Sequence, residues 1–304
     1  MLASRCARYI STNHVLWQSN TKKSLLAELR KKTGYPFINC KKALELHDND
    51  LAKAESWLKE QAQALGWSKA EKLQGRSTSQ GLVGVIFNQF HGALVEINCE
   101  TDFVARNKEF HQLTDTVASA VLKHTIATDS NGMYNRTVLD ADALKALQAL
   151  DGKSVADHSA LAIGTLGENI LVRRALCMYV PQDTVLFGYS HPTPTESGST
   201  SFGRYGALVA FKTTDDKETI GKQLCQHIIG MNPTKIGDPE IDVEKSEDSD
   251  NEKILIHQDF LFDSTITVQE LLEETNTQIL DFARFEMGEV VEGQQSLDAV
   301  ETGG

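Results

Sequence analysis

The chain has no apolar run approaching the roughly 20 residues that a membrane-spanning helix requires. It has no paired cysteines either. Cys6, Cys40, Cys99, Cys177 and Cys225 form no CxxC, their number is odd, and four of them sit inside apolar patterns. That usage fits core thiols in a reducing compartment and supplies no disulfide frame or metal knuckle. Positive charge is in deficit as well. Lys and Arg number 30 against 42 Asp and Glu, leaving a net charge of −12. A protein that coats nucleic acid by bulk charge is thereby excluded, though a local basic patch is not. Neither a membrane nor a nucleic acid is expected as a partner.

Catalytic signatures are also missing. HExxH, GxSxG and paired His/Cys ligand spacings do not occur. Asp151-Gly152-Lys153-Ser154 ends like a phosphate-binding loop, but Leu147 stands where that loop needs its first glycine. His111 and His124 are lone histidines near helix faces. The expectation is a protein without covalent chemistry, metal site or cofactor.

What is present is enough apolar material, 40% of 304 residues, for more than one core. The start differs from the rest. Arg5, Arg8, Lys22 and Lys23 precede the first acid, Glu28, among scattered Ser, Thr and apolar residues. This is the composition of a mitochondrial transit peptide, placed at residues 1–21 and expected to be removed on import. Helical spacing then begins at Leu25, Leu26 and Leu29. "INCKKALELHD" and "DLAKAESWLKEQAQAL" continue it, with Asp50 an N-cap for the third helix. Residues 22–66 read as a small helical docking domain. Residues 67–80, "WSKAEKLQGRSTSQ", read as a polar, basic linker.

From Gly81 the period changes to two. "GLVGVIFNQFHGALVEINCE" reads as two strands about a turn near His91-Gly92, the second half-buried, with Val95, Ile97 and Cys99 inward and Glu96 and Asn98 outward. A helix with Phe110, Leu113, Val117 and Val121 on one face follows, N-capped by Asn107. Helix broken at Asp151-Gly152 leads to the strand "NILVRRALCMYV". Residues 181–291 repeat the grammar: strands "DTVLFGYSH" and "RYGALVAFKT", a helix over 216–231, then "TVQELLEE" and "QILDFARFEMGEV". The fold class is α+β: a three-helix amino-terminal domain, core subdomain 1 over 81–180 and core subdomain 2 over 181–291, each an antiparallel sheet with helices beside it. Residues 238–253 read as a solvated acidic loop, and 292–304 as a disordered tail.

One short stretch fits none of this. Thr101-Asp102-Phe103-Val104 sets a large aromatic beside an acid where strand turns into helix. Phe103 either packs beneath its own helix or projects as an apolar wedge for another protein.

Four stretches, in order, carry a family resemblance. "LRKKTGYPFINCKKAL" and "VEINCETDFVARNKEF" resemble two signatures of elongation factor Ts, the guanine-nucleotide exchange factors of translation. "TLGENILVRR" and "DFARFEMGE" are similar to two further blocks of that family, and the likeness spans residues 22–292. With the transit-like start and the linker, the chain resembles the mitochondrial form. The resemblance implies a helical domain followed by two related α+β subdomains, acting in the mitochondrial matrix. It implies binding to elongation factor Tu and release of GDP, as Asp102 and Phe103, with Thr101 and Val104 shaping the corner, disturb the magnesium and phosphate site. It further implies partner contacts at Arg30, Phe37 and Ile38 in the helical domain, and at Leu166, Gly167, Asn169 and His191 in the core. Bacterial members carry a long helical insertion used in self-association. Met231 to Thr267 is short and largely acidic here, so a one-to-one complex with Tu is implied and a homodimer is not. The alternative is a Tu-binding module or chaperone without exchange activity.

Overall fold

The computed structural model describes residues 25–33, 35, 37–128, 132–192, 199–242 and 252–290. The expected transit peptide, the tail 292–304 and residues 243–251 of the acidic loop lie outside them. Three helices come first: α1 (residues 25–33), α2 (Phe37–Leu46) and α3 (Leu51–Leu73). Leu29, Cys40, Ala43, Leu44, Ala54 and Leu58 form their shared core. Asp50 caps α3, its carboxylate accepting from the N–H groups of Ala52 and Lys53 at 3.0 and 3.1 Å.

The segment expected to be a linker from residue 67 is helical through Leu73. Gly66, the last residue of the expected helical domain, is a contact. A Cβ there would fall 1.8 Å from the Ala160 carbonyl oxygen on α7 (Val155–Leu166), and one on Gly164 would fall 2.1 Å from that of Ala62. Glycine weakens a helix interior by about 1 kcal/mol, but here it lets two backbones touch. Gln63 Nε2 donating to Asp157 Oδ1 at 3.1 Å extends the same contact. The helical domain is thus docked on the core through α3.

The core holds a five-stranded antiparallel sheet in the order β3-β4-β2-β1-β6. Its strands are β1 (Gln80–Phe87), β2 (His91–Cys99), β3 (Asn135–Asp140), β4 (Ile170–Tyr179) and β6 (Ser201–Gly203). The second sheet, β10-β7-β5, comprises β5 (Val185–His191), β7 (Tyr205–Lys212) and β10 (Gln278–Glu286). A small hairpin pairs β8 (Asp259–Phe260) with β9 (Asp263–Thr267). The short helices α4 (Asp102–Ala105), α6 (Ala141–Ala146) and α9 (Val268–Glu274) sit at connections. The β1–β2 turn falls three residues before the expected His91-Gly92, because Asn88 Oδ1 accepts from the N–H groups of Phe90 and His91 at 3.0 and 2.8 Å and closes the turn itself.

The layers run helix, sheet, sheet, helix. On one outside, α5 (Lys108–Thr128) sets Phe110, Val117 and Val121 against Val95, Ile97 and Cys99 of β2. On the other, α8 (Lys217–Met231) sets Leu224, Cys225 and Ile228 against Ala207, Val209 and Phe211 of β7. Between the sheets, Val83, Val85, Leu94 and Met178 meet Leu186, Leu208 and Ala210. Strand β2 is therefore not half-buried as expected. Its second face lies in the seam, and Glu96 and Asn98 are buried there.

A buried carboxylate needs partners, and the seam supplies them. Register shifts in β4 opposite Glu96 and Ile97, so Arg173 and Arg174 both reach Glu96, at 2.8 and 2.7 Å. Gly288 N–H donates to the same carboxylate at 2.7 Å, and Arg174 Nη2 goes on to Glu289 at 2.6 Å. Burial would raise the Glu96 pKa, but the Gly288 N–H and the two guanidiniums outweigh it and hold the carboxyl below its ordinary range. This cluster ties the chain after β10 to the first sheet.

The acidic loop is anchored at its far end. Glu252 is buried, its side chain accepting from Ile254 N–H at 2.7 Å, and its carbonyl takes Gln258 Nε2 at 2.7 Å. Cys40, Cys99, Cys177 and Cys225 are buried free thiols. Among the described residues, no helix is long and apolar enough to cross a membrane.

Candidate functional site

Strand β2 ends at Cys99, and the chain turns through Glu100 and Thr101 into the single helical turn of α4. Thr101 is extended and caps that turn, its Oγ1 accepting from Val104 N–H at 3.3 Å. Val104 and Ala105 point inward and are buried. Phe103 points outward and is 82% exposed, so the alternative that it packs under its own helix does not hold. Asp102, half exposed, pairs with Arg106 at 3.1 Å. An ion pair so open to water contributes little. Asn107 then caps α5 through Glu109 N–H at 2.8 Å.

The Leu166–Asn169 segment meets this corner. Gly167 ends α7 in a left-handed conformation, φ 82°, with its N–H on Ile163 O at 2.9 Å. A Cβ there would touch nothing, so the dihedral and not the space calls for glycine. Glu168 then accepts from Thr101 twice, from N–H at 3.0 Å and from Oγ1–H at 2.6 Å. In return Glu100 accepts from Asn169 N–H at 2.7 Å, while Asn169 Nδ2 donates to Arg76 O at 3.1 Å. Cys99 Sγ–H donates to Thr101 O at 3.2 Å. Burial, with the Glu168 charge adding to it, pushes that thiol up to about 12 and keeps it a donor.

The remaining site residues lie apart. Phe37 and Ile38 open α2 with 52% and 76% exposure, and Arg30 is exposed on α1. Their domain reaches the Leu166 turn through Tyr35, whose hydroxyl lies 3.4 Å from Thr165 Oγ1. His191 is exposed at the end of β5 and lines an open groove of about 480 Å³ with Tyr189, Tyr205, Gln226, Ile229, Leu261, Phe262 and Arg284. Leu261 and Phe262, exposed at the tip of the β8–β9 hairpin, escaped the sequence reading. The signal was an apolar triplet, Phe260-Leu261-Phe262, between two acids, Asp259 and Asp263, in a stretch too short to show a period.

Buried polar groups nearby serve the fold. His227 accepts Leu261 N–H at Nδ1, 3.2 Å, and donates from Nε2 to Gln258 Oε1, 2.9 Å. Burial lowers its pKa, and both nitrogens are committed as a neutral ring. Among the described residues no cluster of His, Cys, Asp or Glu is arranged to hold a metal.

Apolar groups standing out on braced corners, spread over a helical domain and two sheet layers, define a factor that works by docking on another protein. Comparison with known proteins says which. Residues 7–68 match the family model of the mitochondrial elongation factor Ts amino-terminal region, and residues 100–253 match that of elongation factor Ts. Among curated proteins, mitochondrial elongation factor Ts of Aedes aegypti is 48% identical over 96% of both chains. That of Drosophila melanogaster is 50% identical over 91% of this chain and 88% of its own. The human protein is 39% identical over 91% and 87%. The chain belongs to the elongation factor Ts family, in its mitochondrial form. It is accordingly a guanine-nucleotide exchange factor for mitochondrial elongation factor Tu and carries out no covalent chemistry.

Proposed function

We propose that the protein works in the mitochondrial matrix, binds one molecule of Tu–GDP, and releases the nucleotide by driving Phe103 and Asp102 into Tu beside the magnesium and phosphate site. The observation that carries this reading is the 82% exposure of Phe103 on a corner whose neighbouring residues are buried or hydrogen-bonded. GDP is held largely through magnesium bridging protein and phosphate oxygens. A ligand that favours the open form of that site must weaken GDP, and GDP must weaken it by the same factor. GTP in excess then refills the site and the factor leaves.

Magnitudes limit what the wedge does alone. Burying a phenylalanine is worth roughly 1.5–3 kcal/mol. A thousandfold faster release needs about 4 kcal/mol off the barrier. The difference is assigned to contacts elsewhere: Arg30, Phe37 and Ile38 on the helical domain, Leu166, Gly167 and Asn169 beside the wedge, and His191 on the second sheet.

The test is release of fluorescent GDP from mitochondrial Tu, with and without the protein, in magnesium and after chelation. The protein should accelerate release strongly in magnesium and much less once the metal is removed. Equal acceleration in both conditions would contradict the magnesium mechanism. Tight binding without acceleration would show a docking module or chaperone instead.

A further inference from the structure

We infer that Glu168 is a positioning residue for nucleotide release, fixing the corner that presents Phe103. This rests on the wedge reading and deepens it. The corner and the α7–β4 turn are 67 residues apart in sequence, and each sends a carboxylate to the other's backbone: Glu168 to Thr101, Glu100 to Asn169.

The need for such a brace follows from α4 itself. Four residues make one turn, which cannot hold its own shape in water. Its orientation is set from outside, through Thr101. A threonine hydroxyl has one proton and two lone pairs. The Thr101 proton is committed to Glu168 at 2.6 Å, so a lone pair is left facing Val104 N–H, and the cap forms. Thr101 N–H goes to the other Glu168 oxygen at 3.0 Å. Thr101 O is occupied too, by Ala105 N–H and the Cys99 thiol, each at 3.2 Å. With N, O and Oγ1 all engaged, the turn that carries Phe103 is held in one orientation on the corner. A carboxylate suits this role because Thr101 offers two donors. An amide could accept from only one of them; at the hydroxyl it would have to donate to Oγ1, leaving the Thr101 proton without its acceptor and the hydroxyl free to rotate away from the cap.

The experiment is a cycle of wild type, Phe103→Ala, Glu168→Gln and the double variant. It reads the maximal rate of GDP release at saturating factor, affinity for nucleotide-free Tu, and melting temperature. Glu168→Gln should lower the maximal rate about tenfold with affinity changed less than about threefold. In the Phe103→Ala background it should add less than about twofold, because it acts only through the ring. A full, multiplicative loss on top of Phe103→Ala, or an unchanged rate for Glu168→Gln alone, overturns the inference and leaves the wedge standing. A normal rate for Phe103→Ala sinks the wedge and the inference together. Should Glu168→Gln fold poorly, Thr101→Val reports on the same bond. It should be as slow as Glu168→Gln, whereas Thr101→Ser, which keeps the hydroxyl, should stay within about twofold of wild type. A Thr101→Val protein with the wild-type rate would overturn the inference equally.

Discussion

The two halves of the core each send a central strand into a long helix, and the two corners are built differently. After β7 the chain runs Thr213-Thr214-Asp215-Asp216. Asp216 caps α8 through Glu218 N–H at 3.1 Å and takes the Thr219 hydroxyl at 2.7 Å. Residues 214–217 are all exposed and polar. After β2 the chain runs Thr101-Asp102-Phe103-Val104, inserts the extra turn α4, and is pinned by a glutamate from another loop. A strand can therefore enter a helix here with a simple aspartate cap and no aromatic. Nothing in folding calls for Phe103 at 82% exposure, and its place needs a reason outside the chain.

The comparison can be pressed from several sides. Both corners hang from the seam between the sheets, so Glu96→Ala should cause the largest loss. It leaves two guanidiniums without their buried partner, a cost of about 3–5 kcal/mol, measurable by urea unfolding. The pH dependence has a defined sign. The Glu96 pKa is held below its ordinary 4.5, so its contribution is complete above that value and is lost as pH falls through the depressed pKa. Stability should fall below pH 4.5 in the wild type and less steeply in the variant.

Making the first corner resemble the second comes next. Phe103→Asp should slow GDP release about thirtyfold or more while stability moves by no more than about 0.5 kcal/mol, as for an exposed residue. Asp216→Ala should do the reverse. It removes the cap of α8, lowers the melting temperature, and leaves the rate of GDP release unchanged. Asp215→Phe should have the smallest effect, since an aromatic added to the second corner gains no exchange activity without the brace. An appreciable rate change there would blur the distinction between the corners.

Much of this was legible in the sequence, and the failures share a cause. Period-two runs marked β1, β2, β4, β5, β7 and β10, and helical spacing marked α5 and α8. The short strands β3 and β6 were missed. β6 has three residues and owes its existence to pairing with β1, more than 100 positions away in sequence. Glu96 and Asn98 were assigned to solvent because alternation shows which residues share a face, not what covers that face. That Gly66 is a packing position shows only in the folded chain, where Ala160 lies against it. At the site, the oddity of Phe103 could be read from four residues. The function of Glu168 could not, since its partner Thr101 comes from a different loop.

The most direct measurement sets two numbers for Phe103→Ala side by side: the rate of factor-stimulated GDP release from Tu, and the melting temperature of the factor. Truncating an aromatic anchor of this kind costs on the order of 2 kcal/mol, about thirtyfold in rate if it falls on the exchange step. The account predicts that loss, a smaller change in affinity for nucleotide-free Tu, and a melting temperature close to wild type. A variant that melts much earlier while exchanging nucleotide normally would show that Phe103 serves its own fold, and would contradict the account.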